Sequence, residues 1–186
     1  MNKKKLAVAI FLVLLLSVFV VGAITEFFAS KSVTVTVTKK KYFQFDFELA
    51  LDNVELGPGE SVTVDPKVKS DSTEEMYVFM KVTNPSVNNV PLYTYDVDDS
   101  WIIVDESMTN AIVYAYASSD SMVPLSPGEE TISLTTKMTM RDISIPEYAS
   151  IDNIDFTFEV FAIGTEDIST NPTDAWAEAK QLFLQI

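Results

Sequence analysis

The chain has 186 residues, no histidine, no cysteine and a formal charge of −14, from 27 acidic and 13 basic side chains. Without His or Cys there is no His-dependent nucleophile, no His-ligated zinc and no disulfide framework, and so acidic a chain repels a phosphate backbone, which argues against nucleic acid as a partner. Five glycines, several of them in Pro-Gly turns, leave no Walker or Rossmann phosphate loop.

The chain opens with Lys3, Lys4 and Lys5 ahead of an uncharged apolar run over 6–22, in which Ser17 is the one polar side chain. A basic segment followed by an apolar one is the order of a secretory leader, and the run approaches the roughly 18 to 20 residues that span a bilayer. Residues 1–28 are therefore expected to be a signal peptide or a retained N-terminal anchor. The lysines in front direct the remainder outward in either case. Cleavage is expected within Ala23, Ile24, Thr25, Glu26, Phe27 and Phe28, where small residues give way to aromatic ones. The rest of the chain is of single-domain size and long enough to fold without a metal or crosslink.

Residues 32–38 read Ser-Val-Thr-Val-Thr-Val-Thr, a strict alternation that predicts a strand with Val33, Val35 and Val37 on one face. Lys39, Lys40 and Lys41 break it, so 29–41 is read as an N-terminal strand plus basic break, and 42–186 as the main domain. Alternation resumes over 42–51, with Phe43, Phe45, Phe47 and Leu49 on one face and Gln44, Asp46 and Glu48 on the other. Further strands are predicted over 61–68, 76–82, 101–104, 111–117, 131–140 and 154–163. They are separated by turn residues at Gly57-Pro58-Gly59, Asn84-Pro85, Asn88-Asn89, Pro127-Gly128 and Ile145-Pro146. Short strands at this spacing predict an all-β fold, an antiparallel jelly-roll-like β-sandwich. A short C-terminal helix is expected to close the chain over 175–184, with Trp176, Ala179, Leu182 and Phe183 as its apolar stripe. The sequence Leu56-Gly57-Pro58-Gly59-Glu60 recurs as Leu125-Ser126-Pro127-Gly128-Glu129, a strand-entry turn used twice.

Carboxylates supply the remaining candidate chemistry. Asp96, Asp98, Asp99 and Asp105 could gather oxygen ligands for calcium, although they do not follow the EF-hand spacing and also suit a solvated acidic loop. No other cofactor is expected, no catalytic residues are singled out, and no enzymatic activity is expected.

The ordered motifs resemble the TasA and camelysin family. They are the lysine-rich start, the apolar run ending in Gly-Ala-x-x-x-Phe-Phe-x-Ser-x-Ser, the early alternating strand, the Leu-x-Pro-Gly-Glu turn, the stretch LGPGESVTVDPKVKSDSTEEMYVFMKVTNP over 56–85, and FEVFAIGTED over 158–167 ahead of a Trp-bearing helix. The resemblance implies processing by a SipW-type signal peptidase, a jelly-roll fold and a secreted subunit of biofilm-matrix or cell-surface filaments. It also implies that the N-terminal strand, here 32–38, completes the sheet of the next subunit; pairing within its own sandwich is the alternative. Metalloprotease activity, described for the camelysin branch, does not carry over to a chain without His-Glu-x-x-His. A monomeric, surface-anchored module that binds calcium or a wall polymer is the other function the sequence allows.

Overall fold

The structure is a computed structural model and describes residues 44–49, 56–142 and 155–184. In chain order the strands are β1 (Phe45–Glu48), β2 (Ser61–Thr63), β3 (Lys67–Ser70), β4 (Met76–Thr83), β5 (Ser86–Val87), β6 (Val90–Pro91), β7 (Tyr93–Tyr95), β8 (Trp101–Met108), β9 (Ala111–Ser118), β10 (Ser121–Met122), β11 (Lys137–Met140) and β12 (Thr157–Gly164), followed by one helix, α1 (Pro172–Leu184). All strand pairs among the described residues are antiparallel. The fold is an antiparallel, jelly-roll-like β-sandwich with a short C-terminal helix.

β4 reads Met-Tyr-Val-Phe-Met-Lys-Val-Thr, apolar at nearly every position rather than at every second one. Such a strand must be buried on both faces, and β4 lies inside the larger sheet, between β9 and β12, with β8 on the far side of β9. Val78, Met80 and Val82 of β4, with Phe158 and Val160 of β12, face the opposite layer, where Val64, Val68, Met138 and Met140 meet them; all are at most 1% exposed. The other face of the same sheet carries Phe79, Val113, Ala115, Phe161 and Ile163, and α1 covers it with Ala175, Trp176 and Ala179. The order is thus sheet, sheet, helix, and the alternation along β4 and β12 divides their side chains between two cores.

The second layer is more broken than the sequence predicts. The expected strand over 61–68 splits into β2 and β3 because Asp65 adopts a left-handed φ of 75° and Pro66 has no N–H to offer a ladder. Opposite the break, 131–136 is irregular and only Lys137–Met140 is a regular strand, although Val64 N–H still reaches the Thr136 carbonyl (3.2 Å) and Thr131 N–H the Val68 carbonyl (2.9 Å). Conversely, the strand predicted over 101–104 runs on to Met108. The Asn88-Asn89 turn closes the β5–β6 hairpin with both asparagines left-handed, at φ 51° and 64°. Phe45 on β1 is buried, while Phe47 on the same strand and Leu49 just after it pack against the core from half-buried positions.

The recurrent turn takes the same geometry in both places. Gly59 and Gly128 have φ of 78° and 80°. The Glu60 carboxylate accepts the Gly57 N–H at 2.8 Å, and that of Glu129 accepts the Ser126 N–H at 3.0 Å. Leu56 and Leu125 plug the core. Each turn also closes the far end of the other's strand: Gly59 N–H donates to the Met140 carbonyl and Gly128 N–H to the Ser70 carbonyl, both at 2.9 Å.

Candidate strand-acceptor edge

A sandwich exposes its outer strands, and the two long outer strands of the larger sheet differ in kind. β8 pairs with β9 through two register shifts, between Ile103 and Asp105 and between Asp105 and Met108, and carries Asp105 and Glu106. Bulges and charge are the usual protection of an edge against further pairing. β12 has neither bulge nor shift: all eight of its residues pair in unbroken register with β4, from Thr157↔Thr83 to Gly164↔Met76. Its single charge, Glu159, is bound by Lys81 of the neighbouring strand. β12 takes the outermost place among the described strands on its side of the sheet. A long, regular, apolar outer strand is the geometry on which a further strand adds.

The start of the described chain packs across the core from β12. Phe47 of β1 packs on Phe158 of β12 with ring centroids 6.3 Å apart, and Phe156 stacks edge-on to Phe158 at 5.2 Å. Beyond the C-terminal end of β12, Ile163, Ile168 and Leu182 form the apolar part of an open groove of about 560 Å³, rimmed by Glu74, Glu75 and Glu166.

Val33, Val35 and Val37, expected to carry polymerisation, and the expected cleavage region of Ala23, Ile24, Thr25, Glu26, Phe27 and Phe28 lie outside the described residues, as does Phe43. Among the described residues no helix is long and apolar enough to cross a membrane.

The calcium set is not assembled. Asp96, Asp98 and Asp99 are exposed in the segment between β7 and β8. The Asp98 carboxylate folds back onto the Ser100 N–H at 2.9 Å, which lowers its pKa. Asp105, opposite Val113 in the ladder, faces the helix instead. Its Oδ1 accepts from the hydroxyl (2.6 Å) and N–H (3.0 Å) of Ser107, and its Oδ2 accepts from Trp176 Nε1 and Lys180 Nζ, both at 3.0 Å. These donors, Ser107 and Trp176 foremost, hold its carboxyl well below the ordinary range. Among the described residues no group of three or more acidic side chains is gathered for a metal ion. Asp105 is a helix anchor, which the sequence spacing misses because Trp176 and Lys180 lie far along the chain.

Sequence reasoning also overextends the helix stripe. Asn171 Oδ1 accepts the N–H groups of Thr173 (3.1 Å) and Asp174 (3.2 Å), Pro172 takes the first helical position, and Ala175, Trp176 and Ala179 are buried. Leu182, expected on that stripe, is 45% exposed on the groove, and the Phe183 side chain lies outside the described residues.

No family model and no curated protein matches the chain. A chain in the crystal structure of the CaDoc0917–CaCohA2 complex at pH 5.5 is similar at 13% identity, over 70% of this chain and 98% of that one, with a TM-score of 0.30, a likeness too slight to bear on function. What stands is a β-sandwich module with one protected and one regular outer strand.

Proposed function

We propose that this chain is an exported structural subunit that self-associates into filaments of a biofilm matrix or cell surface, each copy adding its 32–38 strand to the β12 edge of the next. The observation that carries the reading is the contrast between the two outer strands: β8 is bulged and acidic, whereas β12 is long, in register and apolar. Residues 32–38 are the matching part, a seven-residue alternating segment with no charge of its own. The resemblance to the TasA and camelysin family supports both the export by a signal peptidase and the head-to-tail assembly. The reading needs no catalytic group and no cofactor.

The same alternating segment could also pair within its own copy, the alternative reading of 32–38. Pairing within one copy and pairing between copies use the same ladder and differ only in connectivity. Negative-stain microscopy of the purified mature chain decides between them. Thin fibres are expected, and deletion of 32–38 is expected to leave soluble monomer. Unchanged fibres after the deletion, or a monomer from the intact chain, would overturn the proposal.

A further inference from the structure

Strand addition leaves open which way the added strand runs, and the charge at the two ends of β12 is unequal. Past Gly164, the groove rimmed by Glu74, Glu75 and Glu166 presents three carboxylates, with no Lys or Arg in its described lining, beside Ile163, Ile168 and the 45%-exposed Leu182. The opposite end, before Thr157, shows a single carboxylate among the described residues, Asp155, while Lys81 sits within the ladder opposite Glu159 and is bound by it. The segment that would add is itself polar in direction, because 32–38 is followed at once by Lys39, Lys40 and Lys41. Seven residues laid beside the eight of β12 bring those lysines just past one end of the strand or the other.

We propose that the groove past Gly164 receives Lys39, Lys40 and Lys41 of the preceding copy, so that the added 32–38 strand runs parallel to β12. The placement rests on the strand-addition reading and gives it a direction. Lysine suits this groove in both its parts: the aliphatic stems cover Ile163, Ile168 and Leu182, while the ammonium groups reach the carboxylate rim. In the antiparallel arrangement the same lysines meet Asp155 alone among the described carboxylates, with the three-carboxylate rim and its apolar floor left facing solvent.

The chain has no cysteine, so single-cysteine copies report the direction without background. Lys40→Cys copies are mixed with Glu166→Cys copies, and separately with Asp155→Cys copies, assembled and oxidised, and the heterodimer is read on a non-reducing gel. At least a fivefold excess of product from the Glu166→Cys mixture is expected. A dominant Asp155→Cys product, or neither product in mixtures that still form fibres, overturns the parallel placement and leaves strand addition intact. Failure of the unsubstituted chain to form fibres overturns strand addition and the placement with it.

Discussion

Asp105 fastens the helix to the sheet with a carboxylate that four donor groups of three residues surround. Its side chain is 10% exposed, so replacing it strands the Trp176 N–H and leaves Lys180 without its anion. Charge-assisted bonds of this kind contribute about 1.5 to 3 kcal/mol each, and Asp105→Asn is expected to lower stability by roughly 2 kcal/mol at pH 7, measured by urea unfolding. The sign with pH comes from the depressed folded pKa. The contribution is complete above the unfolded value of about 3.9 and is lost only as pH falls below it, so the gap between wild type and variant narrows in strong acid. A gap that widens there would refute the anchor. Gly59 and Gly128 make a second residue-scale case. Neither has an atom within 4 Å of where a Cβ would sit, so alanine at either meets no clash and costs only its left-handed backbone, about 1 kcal/mol by the same unfolding measurement. Both turns were legible in the sequence, since Pro-Gly specifies its own backbone. Asp105 was not, because an acid among acids reads as a loop or a metal ligand until its distant partners are known.

At the scale of elements, legibility tracked the range of the determining interactions. β4, β9 and β12 announce themselves by β-branched and aromatic runs, and their positions agree with the predicted ones to within a few residues. The small strands β5, β6, β7 and β10 are too short to show a period, and the split between β2 and β3 depends on the backbone of Asp65 beside Pro66. The helix shows how packing corrects a pattern. Its stripe is used where the sheet lies beneath it, at Ala175, Trp176 and Ala179, and is abandoned at Leu182. Trp176 is 6% exposed, 5.2 Å from the ring of Phe79 and 5.7 Å from that of Phe161. Trp176→Ala is therefore expected to destabilise the domain by about 3 to 5 kcal/mol. Amide exchange is expected to rise first in α1 and on the helix face of β9, and only later in β3 and β11, which belong to the other core. Uniform loss of protection would show that the two cores do not separate.

At the scale of the whole molecule, assembly sets two electrostatic effects against each other. Each subunit carries an excess of acid, and an export cut would remove Lys3, Lys4 and Lys5 and deepen it. Copies therefore repel one another at distances of a Debye length, about 30 Å at 0.01 M salt and 8 Å at 0.15 M. The attraction between the lysines after residue 38 and the rim of Glu74, Glu75 and Glu166 acts at contact, where added salt screens it less. The ladder itself is made of backbone hydrogen bonds and apolar cover, and is nearly indifferent to salt. The initial rate of fibre growth, measured by light scattering, should therefore rise between 0.01 and 0.15 M sodium chloride, because the long-range term is the one removed. With Glu74, Glu75 and Glu166 all changed to Gln the subunit is less acidic, so repulsion alone predicts faster growth than wild type at low salt. The contact pairs predict slower growth at 0.15 M, where repulsion no longer matters. A crossing of the two rate curves is expected, and curves that stay parallel would remove the groove from the assembly step.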